Sequence, residues 1–274
     1  MTLLKNKYAL RNKGINTARR LISPLVILCG IAMMPEAQAA DTPAQGGTLI
    51  YATDREPTCL DPHVDGDMPQ VFVAQQFLDS LVSMDDKGVI HPWLAKSWEV
   101  SADGKTYTFH LRDDVTFTNG EKFTSQAVKA NLDHMANPAT QSSTAGGYIR
   151  QYASTDTPDQ YTAVVHLSTP YAAFLEVLAQ GFLGIEAPGA LARSHDENCQ
   201  SPVGSGPFKV VKWERQNQVV LERNPDYHWA PPYAHHQGPA YLDQIIWRVI
   251  PQYSLRFAAL RSGRIDPTGI ITHR

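Results

Sequence analysis

A turn dipeptide between two alternating apolar runs is the feature that most constrains the fold of this chain. Asp103-Gly104 separates residues 98–100 from residues 107–111, and in both runs an apolar residue recurs at every second position. An Asp-Gly pair in this setting predicts a β-hairpin, because both residues tolerate the backbone conformation that a tight turn between antiparallel strands requires. We therefore expect a sheet with antiparallel strands.

Helix and strand patterns occur along the whole chain, without the strict alternation of strand and helix that builds a parallel sheet. Spacings of three and four predict helices, and short alternating or apolar runs predict strands. The polar stretch 137–160 is rich in Ser, Thr and Gly and predicts loops. We expect an α/β or mixed α+β fold with a mixed sheet. The remaining predicted strands are 48–52, 161–167, 208–213, 219–223 and 245–250, and the predicted helices are 69–82, 124–135, 170–178 and 255–261.

Residues 1–39 have the organisation of a secretory signal peptide. Six basic side chains precede the apolar run of residues 21–34, and Ala37-Gln38-Ala39 supplies the small residues of a cleavage site. The apolar run is shorter than the roughly 20 residues of a membrane-spanning helix, and it contains Pro24. We predict cleavage after Ala39 and export of a soluble chain to the periplasm.

The chain beyond residue 39 is acidic, with 18 Lys and Arg against 26 Asp and Glu. Nucleic acids and anionic lipids attract basic protein surfaces, so we expect neither as a partner. The composition of the whole chain, 43% apolar and 19% charged, is that of a globular protein and excludes disordered and collagen-like classes.

Export changes how the cysteines are interpreted, because disulfides form in oxidising compartments. Two cysteines follow residue 39, Cys59 and Cys199. A disulfide between them and two separate buried thiols are both open interpretations, because the sequence gives no distance between the two positions. Two cysteines this far apart are too few for a zinc site, and we predict no metal site.

The motifs of common catalytic sites are absent from the sequence, including G-x-S-x-G, the phosphate-binding P-loop and H-E-x-x-H. Ser205 lies between two glycines but lacks the spacing of a nucleophile elbow. His235 and His236 are adjacent, without a third ligand at a defined spacing. We predict a protein that is not an enzyme and carries no cofactor. A periplasmic hydrolase that uses Ser205 or the His235-His236 pair is the alternative from another class.

A series of short motifs follows a fixed order along the chain beyond the signal. The chain resembles the extracytoplasmic solute-binding proteins of family 5, the peptide- and nickel-binding proteins of ABC importers. Ser205 stands where the family usually has Thr, and His228 separates Tyr227 from Trp229. The motifs are Glu56-Pro57, Leu60-Asp61-Pro62, Pro92-x-Leu94-Ala95-x-Ser97-Trp98, Asp103-Gly104-x-x-Tyr107-Thr108-Phe109, Phe117-x-Asn119-Gly120, Pro202-Val203-Gly204-Ser205-Gly206-Pro207-Phe208, Glu222-Arg223-Asn224-Pro225 and Leu260-x-Ser262-Gly263-x-Ile265-Asp266.

This resemblance implies a type II periplasmic binding protein, in which two lobes close on the ligand. The motifs span about the first half of the family's length, so we expect lobe I with an inserted subdomain and no second lobe. Residues 40–80 and 204–274 would form lobe I, and residues 81–203 the inserted subdomain. A half clamp loses both closure and contacts, so we expect weak solute binding.

The function implied by the resemblance is that of the solute-binding component of an ABC importer for peptides or a similar solute. We expect a monomer that binds a peptide or small molecule and delivers it to permease subunits in the inner membrane. A non-functional remnant of such a receptor is a further alternative.

Four residues are expected to face the solute, from their positions in the family's pattern. Asp65 and Met68 follow the Leu60-Asp61-Pro62 turn, Tyr148 lies beyond the second helix, and Phe182 follows the helix after that. Methionine and aromatic side chains with few fixed charges suit a pocket that tolerates different ligand side chains.

Overall fold

The computed structural model describes residues 43–266. The predicted signal peptide at residues 1–39 lies outside this range, as do residues 267–274. Within the described part of the chain, no helix combines the length and apolar character that crossing a bilayer requires.

Residues 43–266 form ten strands, seven α-helices and two short 3₁₀ turns, in mixed order. The strands are β1 (Thr48–Thr53), β2 (Val82–Met84), β3 (Ile90–Pro92), β4 (Ala95–Val100), β5 (Thr106–Leu111), β6 (Tyr152–Asp159), β7 (Thr162–Leu167), β8 (Phe208–Glu214), β9 (Gln218–Arg223) and β10 (Gln244–Val249). The helices are α1 (Met68–Ala74), α2 (Ser125–Ala136), α3 (Ala145–Tyr148), α4 (Phe174–Leu178), α5 (Pro188–Leu191), α6 (His195–Gln200) and α7 (Tyr253–Arg261), and the 3₁₀ turns are Pro138–Thr140 and Gly181–Leu183.

The first sheet joins the beginning of the described chain to its end. Its strand order is β1-β10-β9-β8, with β1 parallel to β10 and the other neighbours antiparallel. Its β-branched residues favour the pleated backbone, and Ile50 lies opposite Ile246, which lies opposite Val220. The predicted hairpin 208–213/219–223 is thereby confirmed. The core of this sheet consists of Leu60, Val73, Ala74, Phe77, Leu78, Phe208, Val219, Leu221, Ile245 and Trp247.

The second four-stranded sheet extends the hairpin predicted around Asp103-Gly104. Its order is β4-β5-β7-β6, and all neighbouring strands are antiparallel. Gly104 has a φ of 68°, a left-handed conformation that glycine adopts without steric strain. Tyr107, Phe109 and Leu111 alternate along β5 and are buried in one core with the apolar side chains of α2. The predicted hairpin is confirmed, and so is the mixed α/β fold class.

Two chain segments pass between these sheets and lie side by side. Residues 75–81 lead from α1 to β2, which pairs with β3 in a two-stranded sheet ahead of the second four-stranded sheet, and residues 203–207 lead back to the first sheet. The N–H of Gly206 donates to the carbonyl oxygen of Phe77 at 3.0 Å. A Cβ at Gly204 would lie 1.9 Å from the same oxygen, so the close approach of the two backbones requires glycine there.

Two predicted helices are shorter than the apolar spacing suggests. The helix expected at 69–82 ends at Ala74, and residues 82–84 form β2. The apolar residues that suggested a longer helix are Phe77 and Leu78, which are buried in the core of the first sheet, and Leu81, which is buried in the core of the second. The helix expected at 170–178 begins at Phe174, because a turn closed by the Phe174 N–H and the Tyr171 carbonyl precedes it.

The loop prediction for residues 137–160 is wrong over its second half. Tyr152–Asp159 forms the edge strand β6, which pairs with β7. Most β6 side chains are exposed to solvent, so the strand lacks the apolar alternation that identifies strands from sequence. Its backbone hydrogen bonds to β7 fix it in place instead.

Candidate functional site

The loop of residues 61–67, which precedes α1, is organised by the buried side chain of Gln70. The amide group donates to two carbonyl oxygens of the loop, and the amide oxygen accepts two loop N–H groups, each at 3.1 Å. Asp67 caps α1 by accepting the Gln70 N–H at 2.9 Å. These bonds hold the loop in one conformation and leave Asp65 and Met68 exposed at the surface.

Tyr148 and Phe182 form an aromatic pair. Their ring centroids are 6.4 Å apart and the rings are tilted by 46°, a separation at which aromatic rings attract each other. Tyr148 is 39% exposed, whereas Phe182 is half-buried against the second core. A Cβ at Gly181 would lie 2.8 Å from Val71, so α1, which begins at Met68, packs tightly against the turn that carries Phe182.

Asp65 occupies a different environment from the other three predicted residues. Its backbone φ is 57°, and it lines a cavity of about 370 Å³ that also includes His195 and Arg215. The structure therefore places Tyr148 beside Phe182, with Met68 at the start of the helix packed on that turn, and directs Asp65 to a separate cavity.

A shallow cavity of about 240 Å³ lies next to the turn that carries Phe182, and the sequence did not predict it. Met84, Trp93 and Tyr233 line it together with Gly181. The hydroxyl of Ser83, also in its wall, is buried and has no hydrogen-bond partner among the described residues. These residues come from three separate parts of the chain and carry no shared motif, so no sequence signal identified them.

The interpretation of Ser205 as a nucleophile is contradicted by its environment. Ser205 is fully buried, and its hydroxyl donates to Asp79 Oδ2 at 2.8 Å. Trp229 Nε1 donates to the same oxygen at 2.8 Å, and the Tyr227 hydroxyl donates to Oδ1 at 3.4 Å. Burial raises the pKa of Asp79 to about 7, although these hydrogen bonds oppose the rise. Ser205 is thus part of a structural network, inaccessible to a substrate.

The adjacent histidines do not form a three-ligand group with other His, Cys, Asp or Glu side chains of residues 43–266. His236 Nε2 lies 2.7 Å from the carbonyl oxygen of Pro239, and its ring stacks on Tyr241 with centroids 4.3 Å apart. His235 is exposed. The pair therefore organises a surface loop.

One group that could hold a metal ion was missed by the sequence analysis. Asp61, His63 and His134 each offer one ligand atom, and these three atoms all lie within 4.8 Å of one another. Burial lowers the pKa of His63. Burial also tends to raise the pKa of Asp61, and hydrogen bonds to its carboxylate, including the one from the His63 backbone N–H, oppose that rise. Leu60-Asp61-Pro62 was visible as a motif, whereas His134 is some 70 residues away.

A disulfide joins Cys59 to Cys199, with Cα atoms 4.6 Å apart across 140 residues of sequence. The Leu60 N–H also donates to the carbonyl oxygen of Cys199 at 3.0 Å. The preceding residue of α6, Asn198, donates to Asp61 Oδ2 at 2.9 Å. The bridge therefore fastens α6 to the loop that contains Asp61.

Comparison with known proteins agrees with this architecture. The glutathione-binding protein GsiB of Escherichia coli K12 is 33% identical over 215 residues, which is 78% of this chain and 40% of GsiB. The structure of AgaA from A. tumefaciens R10, in complex with agropinic acid, matches 80% of this chain and 43% of its own, with a TM-score of 0.72 and 33% identity. DppA from Helicobacter pylori, in complex with the peptide STSA, matches 81% of this chain and 46% of its own, with a TM-score of 0.69 and 31% identity.

The chain thus spans about 40% of the length of the curated relatives that it matches. The model of the bacterial extracellular solute-binding proteins, family 5, middle region, matches residues 89–273. This match covers more than half of the chain and includes the second sheet, the 203–207 crossing and most of the first sheet. The chain belongs to the family 5 bacterial extracellular solute-binding proteins.

Proposed function

We propose that this chain is the solute-binding component of an ABC importer, acting in the periplasm as a monomer on a peptide or a similar small solute. It hands the solute to permease subunits of the inner membrane and performs no chemistry on it. The observation that carries the proposal is the exposed Tyr148–Phe182 pair in a family 5 chain. The relatives named above bind glutathione, agropinic acid and a peptide, which supports a small polar solute of this kind.

The surface around this pair suits a ligand whose side chains vary. Tyr148 offers an exposed ring, Phe182 supports it from the core, and Met68 is 44% exposed at the start of α1. Aromatic rings and a flexible thioether make favourable contacts with many apolar groups without requiring one fixed geometry. We propose Tyr148, Phe182 and Met68 as solute contacts. Asp65 is the fourth proposed contact. Because it lines a separate cavity, a loss of solute binding on its replacement would show that this cavity also belongs to the site.

The proposed division of the chain follows the two crossing segments. Residues 40–80 and 204–274 contain all four strands of the first sheet and form lobe I. Residues 81–203 contain the second sheet and form the inserted subdomain. The close contacts between residues 75–81 and 203–207 support this division, because both exchanges between the sheets occur there.

The proposal is tested by ligand-detected NMR with glutathione, agropinic acid and the peptide Ser-Thr-Ser-Ala on residues 40–274, the chain that the predicted cleavage leaves. We expect saturation transfer to at least one of these solutes, because relatives of this chain bind them. Tyr148→Ala should abolish that transfer. Tyr253→Ala, which removes an exposed tyrosine from α7, is the matched control and should leave it unchanged. Transfer to none of the solutes, or equal transfer in both variants, would contradict the proposed site.

A further inference from the structure

The group formed by Asp61, His63 and His134 supports an inference that does not depend on the proposed solute-binding function. His63 Nδ1 lies 3.6 Å from Asp61 Oδ1, and His134 Nε2 lies 3.5 Å from Asp61 Oδ2. Neither histidine nitrogen makes a hydrogen bond with any described residue, although both are buried. Unpartnered buried polar atoms are rare, so these two require an explanation.

The hydrogen-bond partner of His63 Nε2 determines the tautomer of this ring. Nε2 lies 2.8 Å from the carbonyl oxygen of Gly184, which can only accept a hydrogen bond. Nε2 therefore carries the proton, and in the neutral ring Nδ1 carries a lone pair. His63 is fully buried, and this lone pair points toward the Asp61 carboxylate. A carbonyl partner that fixes the distal nitrogen in this way is typical of metal-binding histidines.

Contacts with Thr140 determine the tautomer of His134 in the same way. The Thr140 hydroxyl donates its proton to the carbonyl oxygen of His134 at 2.6 Å. The hydroxyl oxygen lies 3.4 Å from His134 Nδ1, which must then supply the proton of that contact. The Nε2 lone pair of His134 is thus turned toward Asp61 Oδ2, and the centroids of the His63 and His134 rings lie 5.6 Å apart.

When both rings are neutral, three electron-rich groups face one another, and His63 Nδ1 and His134 Nε2 have no hydrogen-bond partner among the described residues. The carboxylate of Asp61 accepts the His63 backbone N–H at 2.8 Å and the Asn198 amide at 2.9 Å, which leaves lone pairs on both oxygens for the histidine side. Two imidazole lone pairs and a carboxylate repel one another unless a cation lies between them. We propose that Asp61, His63 and His134 together bind a divalent transition-metal ion such as Zn²⁺, Ni²⁺ or Co²⁺.

The type and spacing of the ligands define the class of metal. Two imidazole nitrogens with one carboxylate suit zinc, nickel and cobalt, whereas calcium and magnesium prefer all-oxygen sites. Ligand atoms of a tetrahedral site with bonds of about 2.1 Å are roughly 3.4 Å apart. His63 Nδ1 and His134 Nε2 lie 3.6 and 3.5 Å from different oxygens of Asp61, and one ligand atom from each residue lies within 4.8 Å of the others, so the side chains must move closer together to close a tetrahedral site. Three protein ligands leave the fourth position for water.

Access to the site is through His134. Its side chain is 24% exposed, whereas those of Asp61 and His63 are 2% and 0% exposed. The second layer is also organised, since Asn198 bridges Asp61 Oδ2 and Glu186 Oε2 at 2.9 Å each. Such partners orient the ligands before the metal binds.

The test is a titration of the exported chain with Co²⁺ alone, after purification without a histidine tag and removal of metal by a chelator. We expect one equivalent to bind with the visible absorption of imidazole-coordinated cobalt, and Zn²⁺ to displace it. His134→Gln should weaken binding by roughly 100-fold or more, because it removes a ligand and not merely a second-layer partner. His166→Gln is the matched control, since His166 pairs with Asp156 at 2.9 Å without a second histidine, and should bind as the wild type does.

A measurement that needs no variant covers the case in which His134→Gln fails to fold. X-ray absorption of the zinc-loaded wild type should show two imidazole ligands and one or two oxygens. Absence of stoichiometric Co²⁺ binding by the wild type, unchanged binding in a folded His134→Gln variant, or a zinc site without two imidazoles would each overturn the proposal. None of these results depends on whether a solute binds at Tyr148.

Discussion

The buried carboxyl group of Asp79 makes a quantitative prediction about stability and pH. It accepts hydrogen bonds from Ser205 and Trp229 on one oxygen and from Tyr227 on the other. Its pKa is raised from 3.8 to about 7, chiefly by burial. The folded protein therefore holds the proton more tightly than the unfolded chain, and stability decreases as the pH rises from about 4 to about 7.

The size of this effect follows from the difference between the two pKa values. At about 1.36 kcal/mol per unit, ionisation of Asp79 destabilises the folded state by about 4 kcal/mol above pH 7 relative to below pH 4. Between pH 5 and pH 8 the change is about 2.5 kcal/mol. Asp79→Asn removes the titration and keeps an acceptor for Ser205 and Trp229, while the amide group faces the longer Tyr227 contact of 3.4 Å.

The assay is urea unfolding of the wild type and of Asp79→Asn at pH 5 and pH 8, followed by circular dichroism. We expect the free energy of unfolding of the variant to rise by about 2.5 kcal/mol relative to the wild type between these pH values. Other titrating groups are common to both proteins and cancel in this difference. Asp86→Asn, at an exposed turn, should show no such relative change. A difference between the wild type and Asp79→Asn that is constant with pH would refute the assignment of a raised pKa to Asp79.

Three further predictions concern stability. Replacing Cys59 and Cys199 by Ser should lower the free energy of unfolding by up to about 5 kcal/mol, because the bridge closes a loop of 140 residues; equal urea midpoints with and without reductant would contradict this. Gly204→Ala should destabilise the protein by more than about 3 kcal/mol, because its Cβ would lie 1.9 Å from the Phe77 carbonyl oxygen. A Cβ at Gly147 would meet no atom within 4 Å, so Gly147→Ala is the control and should leave the thermal melt unchanged. A circular-dichroism melt should show one cooperative transition, and a gradual, featureless melt would favour the remnant interpretation.

The parts of the fold that the sequence predicted are those fixed by local chemistry. The hairpin around Gly104 follows from a turn that needs a left-handed residue and from apolar alternation on both sides. Strand β6 was missed because most of its side chains face solvent, so its sequence shows no apolar alternation. Backbone pairing with β7, which the sequence of β6 does not reveal, holds the strand in place. The end of α1 was missed because Phe77 and Leu78 are buried in one core and Leu81 in the other, which produces a helix-like apolar spacing without a helix.

The same distinction applies to the candidate sites. Tyr148 and Phe182 were predicted from the resemblance, and the structure places them side by side, but it places Asp65 in another cavity. The proximity of His63 and His134 could be recognised only in the folded structure, because a helix some 70 residues away supplies the second imidazole. A single sequence contains no information on such a distance.

The burial of the motif residues bears on which residues would select the solute. Asp61, Ser205 and Tyr227 belong to the motifs that carry the family resemblance, and each is at least 96% buried among hydrogen-bond partners from other segments. Their role is to join segments that lie far apart in the chain, so replacing them changes stability before it changes solute preference. Under the proposed function, exposed residues outside these motifs contribute to solute selectivity, and Tyr148 is the proposed example. For this reason, membership of the family identifies a solute-binding protein without identifying its solute.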